Sequence, residues 1–266
     1  MTLGLPLATL ALLVAAAFAA GWVDSVVGGG GLIQLPSLLI GLPSDTAVAT
    51  VSGTNKLSSA AGTAVATGTY LSKVAVEWTV ALPLMAAAYA GSTAGAQLVR
   101  FVPRTLFTPL VLATVIVVGV YTLRRPAMGM ETHLRHEGRA RLLRVVVIGL
   151  GVGLWDGLVG PGTGTFFVIL LVAVVGYGFL AATVLTKLAN LTTNVAALVV
   201  LGTSGHVLWG IGAVMAVANL SGGALGARMA IRHGNAFVRK VFLVTIIALA
   251  LKLAWDTVQL VVSHAG

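Results

Sequence analysis

The sequence predicts an all-α polytopic membrane protein: about 8 transmembrane helices plus two short broken or re-entrant helices, laid out as two internal structural repeats. Three observations carry that expectation. The 266 residues are 58% hydrophobic and only 9% charged, with a mean hydropathy of +1.03. A soluble domain carries about 25% charged residues, so this chain has too little polar surface to cover itself. Charge-free runs extend over Met1–Val23, Trp78–Val99, Thr105–Leu123, Gly157–Thr186 and Leu188–Ala227, and a spanning helix needs ~20 mostly apolar residues. Finally, the two halves of the chain match each other at a nearly constant offset.

The apolar segments run near 4–27, 31–41, 46–70, 76–99, 105–123, 143–160, 163–176, 179–202, 207–231 and 240–262. The piece at 31–41 is too short to cross a bilayer at ~1.5 Å per residue, and 163–176 is marginal. Each follows a Gly/Pro break. The first segment lacks a basic leader and is followed by many spans, so it reads as a helix and not as a cleaved signal. There is no cysteine, which excludes disulfides and thiolate chemistry. The net charge of +9 is concentrated between apolar segments, at Arg124–Arg144 and Arg228–Lys240. That is the pattern of cytoplasmic loops, and it argues against nucleic acid as a partner.

The polar linker 124–142 divides a first repeat, 1–123, from a second, 143–266. Gly21-Trp22-Val23-Asp24 answers Gly153-Leu154-Trp155-Asp156, a shift of 132 from Asp24 to Asp156. Lys56 answers Lys187, Trp78 answers Trp209, and "GSTAGA" from Gly91 answers "GGALGA" from Gly222, all at 131. Internal repeats interrupted by glycine in matching places are a mark of transporters. Whether the repeats are inverted or parallel depends on whether 31–41 completes a crossing, and arginine placement does not decide it.

The candidate site residues follow from the breaks. Gly28, Gly29, Gly30 and Gly31 unwind a helix, since Gly costs ~1 kcal/mol against Ala in a helix interior. In hydrocarbon the freed amides need a partner, and a helix N-terminus favours an anion. Gly160, Gly162, Thr163, Gly164 and Thr165, around Pro161, repeat the device. The competing account is close packing through small residues. Lys56 and Lys187 are each the only charge in a long apolar run, where a central charge costs ~2.5–3.5 kcal/mol. Ser52 and Asn55 flank the first. Thr186, Asn190 and Asn194 share one helix face with the second. A positive, hydroxyl- and amide-rich stripe suits a small oxyanion. Asp24 and Asp156, four residues ahead of the breaks, relay a proton, pair with a lysine or cap amides; the sequence leaves these open. Gly91/Gly95 and Gly222/Gly226 read as helix contacts. His206 reads as interfacial, and His133/His136 are weak metal candidates; no metal site and no cofactor is expected.

The glycine cluster followed by Pro36 and "LL", then "GLPSDTAVATVSGTNKLSSAAGT" from Gly41, resembles the TauE/SafE-type sulfite exporter family, also called the 4-toluene sulfonate uptake permeases. The second-half counterpart is Gly160–Gly164, which departs from a pure glycine run. The resemblance implies a multi-pass protein of the cell (inner or plasma) membrane that moves sulfite or organosulfonates such as sulfoacetate as a secondary carrier, an exporter by the family's name, with proton coupling. Substrate and lipid bilayer are the expected partners, and a homodimer is compatible. An anion channel with the same site is the alternative. An intramembrane aspartyl protease would need Asp24 and Asp156 to share a proton, and it lacks the Tyr-Asp and Gly-x-Gly-Asp signatures.

Overall fold

The computed structural model describes residues 4–103 and 131–265; at 242 and 245–265 it describes the backbone alone. The expected segment 105–123 lies outside the described residues, as does the start of the polar linker, 124–130. Every regular element among the described residues is helical. They are α1 (Leu7–Val27), α2 (Gly31–Gly41), α3 (Val48–Leu71), α4 (Trp78–Leu98), α5 (Gly138–Leu158), α6 (Thr163–Leu170), α7 (Phe179–Thr203) and α8 (Trp209–Ala265). A 3₁₀ turn extends α4 over Val99–Phe101, and one π turn extends α6 over Leu171–Val175. Helix α8 breaks at Gly234, whose φ of 67° and ψ of −160° lie outside helical space. α5 starts at Gly138, ahead of the apolar run at 143, because helix propensity carries the Arg-rich turn that the hydropathy pattern leaves out.

The packing is that of a membrane protein. Large apolar side chains are exposed on many helices, among them Leu12, Phe18, Leu82, Val147, Val199, Val217 and Leu225. Polar side chains are buried instead: Ser52, Thr54, Asn55, Lys56, Ser58, Thr63 and Thr67 all lie on the inner face of α3. Among the described residues, three helices are long and apolar enough to cross a membrane: Leu7–Val27, Phe179–Thr203 and Trp209–Val241. α3, α4 and α5 have the length, with 24, 21 and 21 residues, but are more polar. In α3 that polarity faces protein, the arrangement expected of intramembrane polar groups.

The connections fix which ends meet. Gly41, closing α2, packs on Thr9 and Leu13, so α2 turns back to the end where α1 starts. Its 11 residues reach about 16 Å, a re-entrant half-helix. At that same end the α7–α8 connection meets α3: the Leu208 amide donates to Thr54 Oγ1 at 3.0 Å. The start of α5 lies at the opposite end. There Arg141 donates to Glu77, just ahead of α4, at 2.5 and 3.3 Å, and the Tyr177 hydroxyl donates to Glu77 at 2.7 Å. The α7 start closes there too, with the Leu180 amide on Asn235 Oδ1 at 2.7 Å. The two halves therefore thread the bundle in opposite directions.

Glycines let the halves clasp. Gly91 and Gly95 of α4 lie on the backbone of α5 at Leu150 and Leu154. Gly222 and Gly226 of α8 lie on the backbone of α1 at Phe18 and Trp22. A Cβ at any of the four would overlap a main-chain atom or, at Gly226, the Ser25 hydroxyl. The G-x-x-x-G pairs are thus helix contacts, as expected, and each joins one half to the other.

Candidate functional site at the meeting of two helix breaks

Both breaks are formed by left-handed glycines, at φ of 81° for Gly28, 91° for Gly160 and 79° for Gly162. A side chain at these positions is strained. The breaks touch. Gly28 and Gly164 stack backbone to backbone, and the Thr165 amide donates to the Gly28 carbonyl at 3.1 Å. Because the halves enter from opposite ends and their breaks meet, the contact falls near the middle of the bundle. Ahead of α2, the bonds that close its first turn begin at the Leu32 amide, which donates to Gly29 O. The α6 break is held by its neighbours. Trp155 Nε1 donates to Pro161 O at 3.0 Å, and the Thr163 hydroxyl donates to Gly160 O at 2.7 Å.

The lysines cross between halves. Lys56 Nζ lies 2.6 Å from Asp156 Oδ2. Lys187 Nζ lies 2.8 Å from Asp24 Oδ2 and also donates to the Asp24 carbonyl. Each lysine thus neutralises the aspartate ahead of the opposite break, not the one on its own side. Around the Lys56 pair and the breaks is a cavity of about 20 Å³ lined by Asp24, Gly28, Gly31, Asn55, Lys56, Ser59, Asp156, Gly160, Gly162, Thr163, Gly164, Asn190 and Asn194. That volume holds about one water molecule.

A sequence profile of the sulfite exporter TauE/SafE family matches residues 13–253. The chain belongs to the TauE/SafE family. Among its relatives, the probable membrane transporter protein ORF9 of Sinorhizobium sp is 35% identical over 93% of this chain and 93% of its own length. The probable membrane transporter protein YfcA of Escherichia coli K12 is 31% identical over 91% and 88%. A probable membrane transporter protein of Haemophilus influenzae is 30% identical over 96% and 98%. No solved structure matches the chain significantly. This TauE/SafE chain is accordingly a membrane transporter.

Within it, twelve of the residues read from the sequence gather on the one cavity: Asp24, Gly28, Gly31, Asn55, Lys56, Asp156, Gly160, Gly162, Thr163, Gly164, Asn190 and Asn194. Lys187 does not line it; the ammonium lies behind Asp24, with a side chain 0% exposed. Gly29, Gly30, Ser52, Thr165 and Thr186 are also off the cavity. Gly30 packs on α1 at Ala20 and Asp24. Ser52 Oγ and Thr186 Oγ1 are buried without a protein partner. At the second break the Thr163 hydroxyl and the Thr165 amide bond backbone carbonyls. His206 sits half-buried in the α7–α8 connection, and His133 pairs with Glu131 on the surface at 3.2 Å.

Ser59, one of the small polar residues that flank Lys56 in the sequence, also lines the cavity. Ser92 and a buried amide pair escape the sequence reading. Ser92, hidden in the small-residue run of α4, lies 3.3 Å from Asp156 Oδ2 and 2.9 Å from the Thr193 carbonyl. Gln34 and Asn219 form a buried amide pair at 2.7 Å. The only signal for that pair is a lone amide in each of two apolar runs.

Proposed function

We propose that this chain is a secondary transporter of small sulfur-containing anions, sulfite or organosulfonates of the sulfoacetate kind, with a proton as the coupling ion. One observation carries the reading. Two lysines, each held by an aspartate of the opposite half, flank an undersized cavity where two helix breaks touch. An unpaired buried charge costs several kcal/mol, so the carboxylates act as internal counter-ions while no substrate is present. A sulfonate offers three acceptor oxygens and one negative charge. Lys56, Asn55, Ser59, Asn190 and Asn194 offer donors of matching kind. One-water space does not admit such an anion, so loading requires the halves to part.

The reading extends to architecture. The halves form inverted repeats: in each, a long helix and a half-helix that turns back to the end it came from precede two crossings. By this reading the helices cross a cell membrane. Rocking of one repeat against the other opens first one end and then the other. Arg135, Arg139, Arg141, Arg144, Arg232 and Arg239 crowd the end where α5 starts, whereas Arg100 stands at the other. By the charge bias of cytoplasmic loops, the α5 end faces the cytoplasm.

The test is a thermal-stability panel on the purified chain with sulfite, sulfoacetate, taurine, sulfolactate and chloride, followed by flux in proteoliposomes. Stabilisation by sulfur anions over chloride, with saturable flux and counterflow, supports the carrier. Ohmic anion current without counterflow makes the chain a channel. Equal response to chloride removes the sulfur-anion assignment.

A further inference from the structure

We infer that the two ion pairs have different jobs: Asp156 is the carboxylate that takes up the coupling proton, and Lys187–Asp24 is a fixed clamp that stays ionised throughout. This rests on the proton-coupled reading above and assigns its residues and its stoichiometry.

The first argument is what replaces a counter-ion when a carboxylate is neutralised. Protonation of Asp156 leaves the Lys56 ammonium without its partner, but Lys56 lines the cavity. An anion entering there becomes the new counter-ion. Protonation of Asp24 would strip the partner from Lys187, which is 0% exposed and does not touch the cavity. No anion reaches it, and an uncompensated buried charge is strongly disfavoured. Asp24 is the more accessible carboxylate, at 16% side-chain exposure against 3% for Asp156. Accessibility alone would therefore choose Asp24. The counter-ion requirement is the larger effect and decides the other way.

The second argument is the neighbouring hydroxyl. Ser92 Oγ has one hydrogen and two partners, Asp156 Oδ2 at 3.3 Å and the Thr193 carbonyl at 2.9 Å. With Asp156 ionised, the hydroxyl can turn to the carboxylate. With Asp156 protonated, it gives its hydrogen to the carbonyl and accepts from the new carboxyl O–H. Both states are satisfied by one rotation. Asp24 faces Thr63, whose Oγ1 lies 3.5 Å from Asp24 Oδ2 and accepts from Asn194 Nδ2 at 3.4 Å. That contact is long and is shared with an amide, with no main-chain carbonyl recorded beside it among the described residues, as there is beside Ser92.

The groups facing Asp156 are Lys56 from α3, Ser92 from α4 and, across the cavity, Asp24 from α1; Lys187 on α7 is turned to Asp24. The charge balance is then closed. Without substrate, Asp156 carboxylate and Lys56 ammonium sum to zero. With substrate, a proton from water sits on Asp156, the ammonium stays charged, and one monoanion sits on Lys56, again zero. One proton travels with each monovalent anion.

Calorimetric titration of the full-length protein with methanesulfonate, in buffers of different ionisation enthalpy, reads the proton count. The expected result is one proton taken up per anion bound. In Asp156→Asn the binding that remains takes up none. Ser92→Ala, which keeps the ion pair, moves the pH midpoint of binding, a shift that a packing role alone would not produce. Binding without proton uptake by the unmodified protein overturns this inference and leaves the anion-transport reading standing. So does uptake that survives Asp156→Asn. Failure to bind methanesulfonate, sulfite and sulfoacetate alike removes the anion reading and this one with it.

Discussion

The two ion pairs are made of the same residue types at matching positions, yet the protein holds them differently. Lys187 is gripped twice by Asp24, through carboxylate and main-chain oxygen, and is sealed from the cavity. Lys56 has one carboxylate partner and looks onto open, if small, space. The difference teaches that matching positions in sequence do not give matching surroundings: the neighbours of each pair set it apart. Around Lys56 stand Asn55, Ser59, Asn190 and Asn194. Among the described residues, the recorded hydrogen bonds of Lys187 outside its own helix are with Asp24 and, at its carbonyl, Thr67.

The largest expected effect breaks the clamp. Asp24→Ala strands the Lys187 ammonium in the interior, at a cost of about 3–5 kcal/mol. Thermal unfolding in detergent, or the yield of folded protein, should drop sharply. If Asp24→Ala and Asp156→Ala lose stability equally while both still bind anions, the two pairs are equivalent.

Next comes the working pair. Lys56→Met should weaken sulfonate binding about 10- to 100-fold, the range of one hydrogen bond to a charged group. Titration of the variant checks it. A similar step concerns the breaks. Gly164→Ala places a methyl on the Gly28 backbone and should cost about 1–3 kcal/mol of stability, with flux falling further because the halves are prised apart. Gly68→Ala, which meets nothing within 4 Å, is the matched control.

The smallest effect is at the end where α5 starts. Glu77 accepts from Arg141 and Tyr177 there, and the matching positions at the other end are Leu208, Thr9 and Thr46. Burial, reinforced by the Glu77 carboxylate, raises the Tyr177 pKa, so the hydroxyl remains a donor across alkaline pH. Glu77→Gln should cost no more than about 1 kcal/mol, because the pair is partly exposed. It should loosen this latch, and cysteine-labelling rates at position 181 read that opening.

Much of this was legible in the residues. The glycine and proline punctuation places α2 at 31–41, and the two isolated lysines mark the polar centre. The crossing of the pairs was not. A repeat offset shows that Lys56 matches Lys187, but which aspartate each meets depends on the direction of threading. Direction is carried by contacts 64 to 163 residues apart. Ser92 was hidden for a related reason: in a run of Gly, Ala, Ser and Thr, close packing explains every residue until its neighbour is known. The Thr163 hydroxyl and the Thr165 amide also fasten the second break, which no spacing in the sequence shows.

Counterflow of labelled sulfite in proteoliposomes tests the central claim most directly, with the unmodified chain beside Lys56→Met and Lys187→Met. A carrier centred on this cavity gives saturable counterflow in the unmodified protein and little in folded Lys56→Met. Counterflow that survives in Lys56→Met at the unmodified rate and affinity would place the substrate elsewhere.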